Sequence, residues 1–151
     1  MKNVICSAIG VLGSLVASLF GGWTASLTTL LIFMGMDYLS GLIVAGVFHK
    51  SPKTETGALE SRAGLKGIIR KCEMLLFVLI GHRLDMAVGS CYIRDAVCIA
   101  FMVNELISIV ENAGLMGVPI PAIILNGIDM LKKKSNGVME NEEQDIHSES
   151  D

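Results

Sequence analysis

The chain has 151 residues, the usual size of one domain, but 52% of them are apolar and only 18% are charged, whereas soluble domains carry about 25% charged residues. The net charge of −3 comes from an acidic stretch at residues 140–151, and the remainder of the chain is net basic. Basic charge beside long apolar runs is typical of a membrane protein with cytoplasmic Lys and Arg, and it argues against a nucleic-acid-binding protein.

The first apolar run, residues 4–22, is long enough to cross a hydrocarbon core of about 30 Å and is predicted to be a membrane span. Gly13, Ala17 and Gly21 recur in it at four-residue spacing, which lets two helix backbones approach closely and indicates a helix–helix contact. Two alternatives stay open. Weakly apolar spans also tolerate small residues, and Lys2 before an apolar run also resembles the start of a signal peptide.

The second apolar run, residues 25–48, contains a single acid, Asp37, near its middle, with Ser40 and Gly41 on the same helix face. A carboxylate at the bilayer centre costs about 2.5–3.5 kcal/mol on insertion scales. Asp37 is therefore expected to face a partner or water and not lipid. A structural, hydrogen-bonded Asp and a functional Asp, in assembly or along a hydrated path, both fit this pattern.

Residues 49–71 form the most basic segment and are predicted to be a cytoplasmic loop that leads into a third span at residues 68–89. The candidate membrane-surface cations of this segment are Lys66, Arg70 and Lys71. The third run carries His82 and Asp85 on one face. Either it spans with its polar end buried in a bundle, which we favour, or it lies partly in the interface.

The fourth run, residues 93–114, contains a polar ribbon on an otherwise apolar helix. The ribbon consists of Asn104, Ser108, Glu111 and Asn112, and Glu105 flanks it. Two glutamates cannot both face lipid at low cost. The ribbon is therefore expected to face water or another protein surface.

A turn assigned to Gly117, Pro119 and Pro121 ends the fourth run, because the residue before each proline is disfavoured in the helical region. The segment 121–134 then predicts an amphipathic helix lying on the membrane surface. Its final cations, which would meet anionic lipid, are Lys132, Lys133 and Lys134. The acidic residues 135–151 are expected to be disordered.

These elements predict an all-α integral membrane protein of about four transmembrane helices, with three as the alternative. A membrane domain would occupy residues 1–134, with an acidic cytoplasmic tail at 135–151. Four spans place both termini and every basic segment on the cytoplasmic side. No metal-ligand spacing, nucleotide-binding loop or nucleophile motif occurs. We therefore predict no catalytic residue, no metal, no cofactor and no enzymatic activity.

Three segments resemble the phage lysis and toxin-secretion holins of Gram-positive bacteria and their phages, including the clostridial toxin-secretion type. These are "MDYLSGLIVAG" (36–46), "SRAGLKGIIRKCEMLLFVLIGHRLD" (61–85) and "NELISIVENAGLMGVPIP" (104–121), of which the last is the most specific. One departure is Glu60 before Ser61, where the family pattern has two serines. The acidic tail also lies outside the pattern.

The resemblance implies a small protein that accumulates and oligomerises in the bacterial cytoplasmic membrane and then opens lesions. Its functional partner would be a cell-wall hydrolase (endolysin), or in toxin-linked relatives an exported toxin. The candidate oligomerisation or pore-lining residues are Asp37, Asp85, Asn104, Glu105, Ser108, Glu111 and Asn112, with Gly13, Ala17, Gly21 and Gly41 as helix-packing residues. The alternatives are a small-ion channel or transport subunit, and an antiholin-like regulatory subunit.

Overall fold

A computed structural model of the chain describes residues 2–54, 57–58 and 60–133. Within these residues the regular secondary structure is helical throughout, with no strand, which confirms the predicted all-α class. The helices are α1 (Lys2–Leu19), α2 (Ala25–Ile43), α3 (Ser61–Val88) and α4 (Ile93–Leu115), and residues 122–133 form a further helix, α5. α2 continues directly into a π-helical turn, Val44–Phe48. Lys134 and the acidic tail lie outside the described residues.

The helix ends follow local signals in the sequence. Thr24 precedes α2 in an extended conformation, and its side chain accepts a hydrogen bond from the Leu27 amide at 3.3 Å, as an N-capping threonine does. α3 begins at Ser61, seven residues before the predicted start of the third span, because the loop residues that precede the apolar run include good helix formers such as Arg62 and Lys66. The basic segment is thus partly the first turns of α3.

The core lies between α2, α3 and α4, with α4 packed against both of the others. Its fully buried side chains include Leu30 of α2, Val78 of α3 and Cys98 of α4. α1 packs only lightly against the rest. Large apolar side chains also cover the outside of the bundle, for example Leu39 and Leu76, whose exposed fractions are 60% and 58%. Such a surface is too apolar for a water-soluble monomer and suits contact with lipid.

One helix among the described residues, Ala25–Phe48, is long and apolar enough to cross a membrane by length and composition. It coincides with the second predicted run. That the chain has four membrane spans stays a prediction.

The apolar face of α5 is buried in one part and exposed in another. Ile128 is buried, and Leu131 packs against the helix core. Ile123 and Met130, in contrast, are 73% and 72% exposed. Part of the helix predicted to lie on the membrane surface is therefore attached to the bundle, and the remainder of its apolar surface is free.

Gly81 allows α3 and α4 to approach closely. A Cβ placed on Gly81 would lie 3.1 Å from the Cα of Arg94, whereas a Cβ on Gly35 of α2 would have no described atom within 4 Å. We expect Gly35→Ala to preserve or raise stability, since alanine is the better helix former by about 1 kcal/mol. Gly81→Ala should be less stable than Gly35→Ala by about 1–3 kcal/mol, because the added methyl group meets backbone.

Thermal unfolding of both variants in detergent micelles, followed by circular dichroism, measures this difference. Equal melting temperatures for the two alanine variants would contradict the close approach of α3 and α4 at Gly81.

Candidate functional site

Three charged side chains from three helices meet inside the bundle. The ammonium group of Lys71, on α3, donates to Asp37 Oδ2 of α2 at 2.8 Å and also to a carboxylate oxygen of Glu105 on α4. Asp37 and Glu105 are 7% and 4% exposed. A buried carboxylate is costly without a charged partner. The two ion pairs supply that partner to both acids and so allow α2, α3 and α4 to pack with these groups inside.

A buried amide extends the charged group along the α2–α4 contact. Asn112 Nδ2 donates to Ser40 Oγ at 2.8 Å and to Asp37 Oδ1 at 3.3 Å. The position that a Gly41 Cβ would occupy lies 3.8 Å from the same nitrogen, so α4 contacts α2 directly at this glycine. We call Asp37, Ser40, Lys71, Glu105 and Asn112 the polar cluster.

The polar cluster forms part of the wall of an open-sided cleft. Residues 51–54 of the loop before α3 line the same cleft, together with Arg70 and Ser108. With all three charged groups ionised, the cluster contains two negative charges and one positive charge. Lys53 and Arg70, which line the same cleft, place further positive charge beside the cluster. Among the described residues, no three His, Cys, Asp or Glu side chains are arranged to hold a metal ion.

The polar ribbon predicted on α4 divides between two faces. Glu105 and Asn112 are buried in the cluster, and Ser108 is half-buried beside the cleft, whereas Asn104 and Glu111 are exposed. Residues 105, 108 and 112 lie at i, i+3 and i+7 and share a helix face. The inward face is therefore centred one residue later than predicted, on the glutamate that had been placed at its flank.

Lys71 differs in exposure from the other predicted membrane-surface cations that the structure describes. It points into the bundle, while Lys66, Arg70, Lys132 and Lys133 are exposed. In the sequence, Lys71 is distinguished by its position at the start of the apolar part of α3, with one acid available in each neighbouring span. The sequence alone does not show which acid it pairs with, because that depends on how the helices pack.

Asp85 lies at the other end of the bundle and holds the α3–α4 turn. Its carboxylate accepts hydrogen bonds from the backbone amides of Ile93 and Arg94, both at 2.9 Å, and from the Ser90 hydroxyl. These are the first amides of α4, which have no partner within the helix. Asp85 is 6% exposed, and the hydrogen bonds of its carboxylate among the described residues join it to the α3–α4 turn and not to the polar cluster, so it serves as a cap in the subunit.

The small residues predicted to pack α1 against another helix have different surroundings. Ala17 is 7% exposed, whereas no described atom lies within 4 Å of a Cβ placed on Gly13. Gly21 lies beyond the end of α1, in a turn whose carbonyls accept hydrogen bonds from Arg94 Nη1. The predicted stripe is therefore not one continuous contact surface within a single subunit.

The turn after α4 is formed by Gly117 as predicted from the sequence. Gly117 has a φ of 77°, in the left-handed region, and the Val118 amide donates to the Ala113 carbonyl at 3.0 Å. This pattern is the glycine-terminated helix end known as the Schellman motif. Pro119 and Pro121 follow it and prevent α4 from continuing.

Comparison with known proteins connects this architecture to a family. A model of a bacteriophage holin family matches residues 14–133, a range that contains the whole polar cluster. An uncharacterized protein of Halalkalibacterium halodurans is 39% identical over 138 residues, covering 87% of this chain and 96% of the relative. An uncharacterized protein of Listeria monocytogenes is 35% identical over 147 residues, covering 97% and 99% of the two chains.

A protein of Bacillus phage phi105 named as a probable holin is 27% identical over 119 residues, covering 78% of this chain and 82% of the phage protein. No solved structure matches the chain. The family consists of non-enzymatic membrane proteins, so the prediction that the chain is not an enzyme is confirmed. The match over most of the chain and the similarity to the phage protein confirm the resemblance seen in the sequence: the chain belongs to the bacteriophage holin family.

Proposed function

We propose that this protein acts as a holin. It accumulates and oligomerises in the cytoplasmic membrane of a bacterial cell and opens lesions through which an endolysin, or a large toxin, leaves the cytoplasm. Timed lysis or protein release follows. Membership of the bacteriophage holin family supports this function, and the polar cluster is the structural observation that carries it.

The polar cluster supports a two-stage mechanism. In one subunit, the buried charges of Asp37, Lys71 and Glu105 satisfy one another, so the bundle can accumulate in lipid without exposing them. When subunits become dense, the same groups can turn toward water or toward another subunit. A lesion wall requires helices with this property, apolar toward lipid and polar toward the opening.

We further propose that four helices span the membrane, with both termini in the cytoplasm. The connections 21–24 and 89–92 carry no charge, whereas residues 49–71, the loop before α3 together with its first turns, carry six Lys and Arg side chains against two acids, as the positive-inside rule requires of a cytoplasmic side. At 1.5 Å per residue α3 is about 42 Å long, longer than a hydrocarbon core of about 30 Å. Its first turns, with Arg62 and Lys66, then lie at the inner headgroups.

In the same arrangement α5 lies near the inner surface. Ile128 attaches it to the bundle, its exposed apolar side chains enter the lipid, and Lys132 and Lys133 face anionic headgroups.

Inducible expression in a bacterium, with and without a cytoplasmic endolysin, tests the proposed function. We expect an abrupt loss of viability after a delay, with a fall in turbidity only when the endolysin is present. Release of a folded cytoplasmic enzyme distinguishes a holin from the alternatives. A small-ion channel would depolarise the cells without releasing protein, and a regulatory subunit would have no effect alone but would change the lysis time of another holin.

A further inference from the structure

A second set of polar groups lies on the outside of the bundle, in a groove between α3 and α4. The groove is lined by Arg70, Glu73, Met74, Phe77, Phe101 and Asn104. The rings of Phe77 and Phe101 lie with their centroids 6.3 Å apart and form its apolar end. Arg70, Glu73 and Asn104 form its polar end, and all three are exposed.

These three polar side chains have no partner among the residues that the structure describes. Within the part of the chain that the structure describes, none of them makes a side-chain hydrogen bond or an ion pair. Glu73 also lies well away from the ends of the bundle along its axis. It follows Lys71 by two residues on α3, and the Lys71 ammonium reaches Asp37, which is halfway along the candidate span Ala25–Phe48. Asn104 directly precedes the buried Glu105.

An exposed carboxylate at this depth faces lipid if the subunit is alone in the membrane. Intramembrane acids are almost always paired or turned toward water. The exposed Glu73 carboxylate therefore needs a polar or charged group in contact with it. The groove itself provides a complementary pattern. Arg70 and Glu73 are one turn apart on the same helix face, so each offers the charge that the other needs in a neighbouring molecule inserted in the same direction.

We infer that the α3–α4 groove is an interface between two copies of this chain, in which Arg70 of each copy pairs with Glu73 of the other. A two-fold axis along the membrane normal brings these residues to similar depths, within one turn of about 5.4 Å, which the arginine side chain can span. Asn104 then hydrogen-bonds across the interface, and Phe77 and Phe101 supply its apolar contact. The inference rests on the proposed function in that it names the contact through which a holin would assemble.

The test co-expresses two differently tagged copies and measures their co-purification from membranes in mild detergent. Arg70→Glu expressed with itself places acids against acids, and Glu73→Arg with itself places bases against bases. Each of these combinations should lose co-purification by about tenfold or more, since like charges across an interface are strongly unfavourable. The mixed combination, Arg70→Glu with Glu73→Arg, should recover the wild-type level.

The mixed combination also separates a contact between copies from a pair within one helix, because neither polypeptide in it can form a pair internally. Its recovery would show that both variants fold. Arg62→Glu, which changes an exposed charge on α3 away from the groove, is the matched control and should co-purify normally.

Wild-type copies that fail to co-purify, single variants that self-associate normally, or a mixed combination without recovery would each overturn the interface. Endolysin-dependent lysis by the wild-type protein in the same cells reports on the proposed function separately. If the protein causes lysis but co-purification does not depend on the charges at positions 70 and 73, only the proposed interface is refuted. If co-purification depends on these charges but no lysis occurs, only the proposed holin function is refuted.

Discussion

Replacement of Lys71 by methionine is expected to destabilise the bundle by about 3–5 kcal/mol, the cost typical of breaking a buried ion pair by removing one partner. Methionine preserves the length and packing of the side chain but leaves Asp37 and Glu105 buried near each other without the cation that both now contact. The protein should unfold at a markedly lower temperature in detergent micelles, and less of it should accumulate in membranes.

A triple variant, with Lys71→Met, Asp37→Asn and Glu105→Gln, is the control for this prediction. It replaces the ionic groups by neutral groups of similar size, and such replacement is often neutral or stabilising. Most of the lost stability should therefore return. Circular dichroism melting curves of the wild type, Lys71→Met and the triple variant test this prediction. If Lys71→Met is as stable as the wild type, Lys71 does not bridge the two acids.

The same three proteins connect the polar cluster to lysis. If the cluster supplies the charges that line a lesion, the triple variant should accumulate normally but trigger late or not at all in the endolysin assay. Unchanged lysis timing in a stable triple variant would mean that the cluster only holds the helices together.

The helical class was predictable because it depends on local properties. Apolar runs of helix length with turn residues between them predict helices whatever their neighbours are. The Gly117 turn was predictable for the same reason, since a glycine followed closely by prolines is a signal contained in a few residues. Asp37 was recognised as a residue in need of a partner by its charge and its position alone.

The partner itself was not predictable, because it comes from another helix. Lys71 ends a basic segment, and charge counting groups it with the surface cations. Only the contact of α3 with α2 and α4 brings its ammonium group between Asp37 and Glu105. The rotation of α4 is a similar case. Moving the inward face by one residue exchanges Asn104 for Glu105, and periodicity alone does not fix a helix rotation so closely.

Glu73 was overlooked for a related reason. It lies directly before the most apolar stretch of α3, and it becomes conspicuous only when the structure places it on the outer surface, with no partner among the described residues.

The second large effect is expected at the other end of the bundle, from Asp85→Ala. The carboxylate holds the first two amides of α4 and the Ser90 hydroxyl. Its removal leaves these partly buried donors without their acceptor. Loss of a helix cap costs about 0.5–2 kcal/mol, and leaving partly buried donors unsatisfied adds about 1 kcal/mol, the lower end of the range for buried groups. We expect a total near 2–3 kcal/mol, together with faster hydrogen exchange at the amides of Ile93 and Arg94.

Asp95→Ala is the matched control, because Asp95 is also an acid near the start of α4, but its side chain is 39% exposed and pairs with Arg94. Asp95 is partly exposed and Arg94 keeps its hydrogen bonds to the carbonyls of Phe20 and Gly21, so loss of this pair should cost only about 0–1 kcal/mol. Equal losses for the two alanine variants would contradict the capping function of Asp85.

The cap and the polar cluster should contribute to stability independently. Glu105 lies about 18 Å further along α4 than Ile93, and the effects of mutations at such separations usually add. The combined Asp85→Ala and Lys71→Met variant should therefore lose the sum of the two single effects, and a smaller loss would mean that the two ends of the bundle unfold independently of each other.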